Sequence, residues 1–166
     1  RQVGVLPNTL KKLTFGYMFN QALDVLPVNL EELTFGKNFN NGGNKLQQDV
    51  LPNTLKKLTL GDSFDNGGQA LEVGVLPNTL RELTLGDKYN QPLQPNVLPA
   101  NLNKLTFGGS FDQILEPRML PNTLTELTFG DMFDNGDQAL EVGVLPVNLK
   151  KLTFGLKFDQ TLQPNV

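Results

Sequence analysis

The stretch LPNTLKKLTFG at residues 6–16 returns at residues 51–61 as LPNTLKKLTLG. In every copy the first Leu is followed seven residues later by Leu-Thr-Phe/Leu-Gly, and three residues after that Gly stands Phe or Tyr, then Asn or Asp. The seven copies begin at Leu6, Leu26, Leu51, Leu76, Leu98, Leu120 and Leu145. A repeat of 20 to 25 residues is one supersecondary unit, and such a unit is stable only when it stacks on its neighbours.

The Leu-Thr-Phe segment of each copy predicts a short β-strand. Leu13 and Phe15 point to one side, and Lys12 and Thr14 to the other, because side chains alternate along a strand. The Asn- and Pro-containing return that follows breaks this pattern, and no window has the spacing of a ten-residue helix. We therefore expect a mainly β repeat solenoid of leucine-rich-repeat type, with one strand per coil of about 22 residues in a parallel concave sheet and a helix-poor convex side.

Length varies only between the Asn/Asp and the next Leu-Pro pair. Copies two, three and six carry insertions there that favour turns with positive φ, and we expect them to form surface loops. The insertions are Asn41-Gly42-Gly43, Asn66-Gly67-Gly68 and Asn135-Gly136-Asp137.

The segments FGYMFNQ at residues 15–21 and FGKNFN at residues 35–40, each preceded by a Leu-Pro pair, carry a family resemblance. The chain resembles the FNIP-repeat (FGxxFN-motif) leucine-rich-repeat-like proteins of social amoebae and large DNA viruses. This resemblance implies a curved solenoid used as a recognition scaffold. In amoebae such repeats are often joined to an F-box, which would make them substrate receptors of ubiquitin ligases, and no F-box is visible here.

The repeat predicts one solenoid over residues 1–166, with seven FNIP-type repeats, incomplete at both ends and without caps. The chain starts in mid-repeat at residues 1–5 and stops at residues 164–166, just before another Leu-Pro pair would fall. Uncapped ends expose core and strand edges. We therefore expect a segment of a longer array or a homo-oligomer joined through these ends.

Composition excludes several functional classes. The chain has no His or Cys and only two Ser, Ser63 and Ser110, so no Ser-His or Cys-His triad and no thiolate-imidazole metal site can form. Repeated, equivalent carboxylates do not provide the unlike environments that an acid/base pair needs, so we predict no enzyme and no cofactor. The net charge of −3 and the lack of a long apolar run argue against nucleic acid and membrane partners and favour a protein. The absence of Asn-x-Ser/Thr favours an intracellular location. The resemblance to proteins of large DNA viruses implies a virion-associated location as the alternative to a cytoplasmic one.

The eleven Phe residues fall in two columns, which we predict to form stacked aromatic spines in the core. The strand column contains Phe15, Phe35, Phe107, Phe129 and Phe154, with Leu60 and Leu85 in copies three and four. The second column contains Phe19, Phe39, Phe64, Phe111, Phe133 and Phe158, with Tyr89 in copy four.

An Asn/Asp column follows the second Phe column. It contains Asn20, Asn40, Asn90, Asp65, Asp112, Asp134 and Asp159. Since an ionised Asp only accepts hydrogen bonds, the shared role predicted for this column is acceptance from backbone N–H groups of the turn that leaves the strand. Asp112, Asp134 and Asp159 would stack in consecutive coils, where repulsion requires N–H donors, solvent or a cation such as calcium. We assign no metal ligand.

The outward face of the sheet is the candidate interaction surface. It consists of Lys12, Thr14, Glu32, Thr34, Lys57, Thr59, Glu82, Thr84, Lys104, Thr106, Glu126, Thr128, Lys151 and Thr153. Charge alternates from copy to copy, so neighbouring strands would pair Lys with Glu and Thr with Thr. The same ladder would also serve simply to set the register, and its flanking charges disfavour ice binding by the Thr column.

Two functions of different classes are compatible with these patterns. The first is a non-enzymatic protein-interaction scaffold, on its own or as part of a longer array. The alternative is a structural building block that stacks end to end into a filament, ring or coat layer. The size of the protein at micromolar concentration discriminates between them.

Overall fold

A computed structural model describes residues 6–164, so the expectations on residues 1–5 and 165–166 lie outside the described part. Seven parallel strands form one sheet in chain order. They are β1 Lys12–Thr14, β2 Glu32–Thr34, β3 Lys57–Thr59, β4 Glu82–Thr84, β5 Lys104–Thr106, β6 Glu126–Thr128 and β7 Lys151–Thr153. Residues at equivalent positions of the repeat pair across neighbouring strands, as Leu13 does with Leu33 and Leu33 with Leu58. The predicted solenoid of leucine-rich-repeat type is confirmed, and we call its turns coils one to seven after the sequence copies.

The other regular elements in residues 6–164 are three 3₁₀ turns, Asn41–Gly43, Asn66–Gly68 and Asn135–Asp137. They coincide with the three insertions, and their central glycines have positive φ of 63°, 62° and 60°. The expectation of surface loops is only half right. The glycines of these turns reach the surface, but their first Asn is at most 5% exposed in each case.

The core is built from Leu columns and the two predicted aromatic columns. Neighbouring rings lie 5.2 to 5.6 Å apart in the strand column and 6.1 to 6.2 Å apart in the second column. The closest ring pairs, however, lie within a coil, where the two Phe rings stack face to face at 3.7 to 4.0 Å. Leu60 and Leu85 interrupt the strand column between Phe35 and Phe107. Each coil that has both rings therefore contributes a stacked pair, and the pairs are offset along the solenoid.

The Gly that ends each strand segment allows the coils to approach closely. A Cβ atom on Gly86 would overlap the carbonyl oxygen of Gly61 in the preceding coil. The same overlap would arise at Gly36, Gly61, Gly108, Gly130 and Gly155. A methyl group at this position would push two coils apart, which explains why all seven copies have Gly here.

Candidate functional site

The fourteen predicted surface residues lie in two in-register columns along the seven strands, and their placement on one face follows from strand alternation. The Leu between the two columns points into the core, and the Lys/Glu and Thr side chains point outward. The sequence-derived register is confirmed at every strand pair.

The charge ladder pairs its members two by two. The described ion pairs along it are Lys12 with Glu32 at 2.7 Å, Lys57 with Glu82 at 3.1 Å, and Lys104 with Glu126 at 3.3 Å. Within residues 6–164, the other three strand interfaces carry no ion pair on this ladder. These side chains are 41 to 72% exposed, so each pair contributes little to stability.

A second charged column lies directly before the strands. Glu31 of coil two contacts Lys56 at 2.6 Å and Lys11 at 3.1 Å. The hydrogen bond from Lys56, followed by that from Lys11, holds the pKa of the Glu31 carboxyl below its ordinary value. Coils one to three therefore carry bands two charges wide, with signs positive, negative and positive.

The Asn/Asp column accepts backbone hydrogen bonds, as predicted, but the donors belong mainly to the next coil. Asn20 Oδ1 accepts from the N–H groups of Asn40 at 2.8 Å and Gly42 at 3.1 Å. The equivalent bonds from Asp65 to Asn40, Asp112 to Asn90, and Asp134 to Asp112 measure 3.0, 2.9 and 2.8 Å. Asp65 differs, because its carboxylate caps the N–H groups of Gly67 and Gly68 in its own coil. The column joins consecutive coils.

Asp112 shows how a charged member of this column is accommodated. Burial acts to raise its pKa, but hydrogen bonds from the Asp134 and Gly136 N–H groups and from Lys157 outweigh burial and lower it. Lys157 Nζ lies 3.2 Å from Asp112 and 3.4 Å from Asp137. In residues 6–164, no three acidic side chains are grouped as metal ligands would be. Among residues 6–164, the cationic group beside Asp112 is therefore the Lys157 ammonium.

A column of buried Asn residues was missed by sequence reasoning. Asn41, Asn66 and Asn135 each accept a hydrogen bond from a Leu N–H of the preceding coil, at 2.7 to 2.8 Å. Their amide groups donate to two carbonyls of their own loop. A sequence signal exists, since this position is Asn in the three coils with an insertion and Gln in the other four, at Gln21, Gln91, Gln113 and Gln160.

Tyr89 performs the same function in coil four, which has no insertion. Its hydroxyl accepts from the Leu71 N–H of coil three at 3.3 Å, and its side chain is fully buried. Burial raises the pKa of Tyr89 to about 12, against the smaller lowering effect of the Leu71 N–H. The single Tyr in the second aromatic column therefore replaces the missing Asn acceptor.

These columns recur with the period of a known repeat. The FNIP repeat model matches residues 19–63, 43–88, 66–109, 89–132 and 137–166. The chain belongs to the FNIP repeat family. This confirms the resemblance expected from the FGxxFN segments, and FNIP solenoids of the leucine-rich-repeat type are typically non-enzymatic scaffolds.

One solved structure similar to this FNIP chain is CroV588, described as a novel circular LRR protein, from a large DNA virus. The two are 42% identical with a TM-score of 0.80, over 98% of this chain and 26% of that one. The FNIP chain thus spans about a quarter of the length of that protein. No curated protein matches it. In residues 6–164 there is no helix of the length and apolar character that a membrane crossing requires.

Proposed function

We propose that this FNIP chain is a non-enzymatic recognition scaffold that binds a protein partner through the outward face of its sheet. The observation that carries the proposal is the in-register display of charged and Thr side chains along all seven strands. A regular parallel sheet holds such side chains at fixed spacings of about 4.8 Å, which favours recognition of another ordered surface.

The charge pattern supports a protein partner with bands of both signs. In coils one to three, Lys11 and Lys12 are followed by Glu31 and Glu32, and then by Lys56 and Lys57 in the next coil. The ion pairs between them are exposed, and exposed pairs are worth only about 0 to 1 kcal/mol. Exchanging them for pairs with a partner therefore costs little, while complementary charge raises specificity and the association rate.

Site-specific photocrosslinking tests the sheet face. A photoreactive residue at Thr84, in the central strand β4, should form a crosslink to a discrete protein in cell extract, identified by mass spectrometry. The same group at Gln47, an exposed position away from the sheet, is the matched control. Lys57→Glu reverses a charge on the sheet face and should abolish crosslinking from position 84. Equal crosslinking from positions 84 and 47, or no crosslinking from position 84, contradicts the proposal.

The alternative of a structural building block has weaker support. If β7 of one copy paired with β1 of another, Lys151 would lie beside Lys12, and like charges directly opposite are destabilising. Sedimentation velocity at rising micromolar concentration measures the mass of the assembly. Constant monomer mass supports the recognition scaffold, and an open-ended rise in mass favours the building block.

A further inference from the structure

A groove crosses coils four and five on the return side of the solenoid, away from the sheet. It has a volume of about 520 Å³. Its walls include the apolar residues Pro92, Pro95, Ile114 and Met119, and its charged lining residues are Asp112 and Glu116. Ile114 is 42% exposed, which is high for an Ile. The groove therefore combines apolar lining residues with one acidic side chain, Glu116, that has no ion pair among residues 6–164, since Asp112 is paired with Lys157.

The groove exists because two short coils lie between two longer ones. Coils four and five are 22 residues long, from Leu76 to Leu98 and from Leu98 to Leu120, whereas coils three and six are 25 residues long. The extra residues form the 3₁₀ turns Asn66–Gly68 and Asn135–Asp137, and coils four and five have no such turn. Gly136 of the second turn packs directly on Ile114 and forms one wall.

The buried residue of the groove, Leu93, has a backbone N–H without an acceptor among residues 6–164. Leu93 lines the groove and is 3% exposed. At the equivalent position, Leu23, Leu46 and Leu115 donate to an Asn side chain and Leu71 donates to Tyr89. Leu140 of coil six, outside the groove, also has a buried N–H without a partner among residues 6–164. The Leu93 N–H is thus the unpaired Leu N–H that lies beside an open groove. Coil five provides neither an Asn nor a Tyr acceptor for the Leu93 N–H.

The reason lies in two side chains of coil five. Gln113 turns its amide towards coil four and donates to the carbonyl and side-chain oxygens of Asn90, at 3.3 and 2.8 Å. Phe111 stands where coil four has Tyr89 and has no hydroxyl. A buried N–H without an acceptor costs about 1 to 3 kcal/mol, so an oxygen from outside the chain would be bound favourably at this point.

We propose that this groove binds an extended peptide segment of a protein partner. A backbone carbonyl of the peptide accepts from the Leu93 N–H, an apolar side chain packs on Ile114, and a Lys or Arg side chain pairs with Glu116. The proposal rests on the proposed role as a protein-binding scaffold, but it concerns a second surface that shares no residue with the sheet face.

Selection from a display library of short random peptides, on the full chain, tests the groove. Enriched peptides should combine Lys or Arg with an apolar residue. Glu116→Lys should weaken their binding about tenfold, because an attractive pair becomes a repulsive one. Glu141→Lys is the matched control, since Glu141 is exposed and occupies the same position of the repeat in coil six, outside the groove. No enrichment, or equal binding to both variants, overturns the proposal.

Amide NMR gives a second readout that depends on the carbonyl contact. Addition of an enriched peptide should shift the Leu93 amide proton downfield and slow its exchange, while the Leu140 amide, at the equivalent position of coil six, stays unchanged. An unmoved Leu93 amide at saturating peptide overturns the proposal.

A loop graft separates the two proposed surfaces. Replacing Gln113 and Ile114 with the sequence of residues 66–70 gives coil five the turn of coil three and an internal Asn acceptor for Leu93. This variant should lose peptide binding and retain crosslinking from Thr84. Undiminished peptide binding by the graft contradicts the groove proposal alone. Absence of crosslinking from position 84 in the chain without the graft contradicts the sheet-face proposal alone.

Discussion

Replacing Tyr89 with Phe removes one hydroxyl and keeps the aromatic ring. The ring has room as Phe, because six of the seven coils carry Phe in this column and the Phe64 to Tyr89 centroid distance of 6.1 Å matches the Phe pairs. The change leaves the Leu71 N–H buried without an acceptor, which costs about 1 to 3 kcal/mol. Since the bond is long at 3.3 Å, we expect a loss of about 1 to 2 kcal/mol in the free energy of unfolding.

The assay for Tyr89→Phe combines thermal unfolding with hydrogen exchange of the Leu71 amide. For a chain of this size, the expected loss lowers Tm by about 2 to 8 °C. The Leu71 amide should exchange faster, because its buried hydrogen bond is gone. Tyr17→Phe is the control, since Tyr17 is 58% exposed and its loss should stay within about 0.5 kcal/mol. Unchanged Tm together with unchanged Leu71 exchange refutes the assigned role of the hydroxyl.

Three further changes test the packing and the charge of the stack. Phe107→Ala should lower the free energy of urea unfolding by about 3 to 5 kcal/mol and Phe15→Ala by less, because Phe107 is buried and Phe15 only half-buried; a loss below about 1 kcal/mol for Phe107 would contradict the aromatic spine. Gly86→Ala should cost about 3 kcal/mol in the same assay, whereas Gly16→Ala, with no atom within 4 Å of its Cβ, should be neutral; equal effects would exclude coil contact as the cause. The pKa of Asp112 is lowered from 3.8, so its contribution to stability is complete above that pH and is lost as pH falls through the lowered value. Asp112→Asn should therefore reduce the fall in the free energy of unfolding at acid pH. An unchanged dependence on acid pH would refute this role.

The strands and their register follow from the sequence because the frame is constant. A fixed distance from Leu6 to Leu13, and from Leu26 to Leu33, leaves each strand the same position in its coil, and alternation then decides which side chains face inward. The aromatic columns follow for the same reason. Stacking of Phe15 on Phe19 does not follow, because it depends on how the backbone turns at Gly16.

The buried Asn residues were missed because Asn-Gly is a strong signal for an exposed turn. The acceptor role of Asn41 depends on the Leu23 N–H, which lies 18 residues earlier and meets it only when the coils stack. The pairing of charges two by two was also beyond the sequence. Glu32 has a Lys on either side in the register, and the rotamer that selects Lys12 is not a property of the pattern.

The links between coils run in both directions, and this matters during synthesis on the ribosome. Asn20 of coil one receives its donor, and the Leu23 N–H its acceptor, only when coil two has emerged. At about 5 to 20 residues per second, a new coil arrives roughly every one to five seconds, far slower than strands pair. The nascent chain can therefore fold as it is made, with each finished coil acting as the template for the one that follows and only the newest coil left unsatisfied.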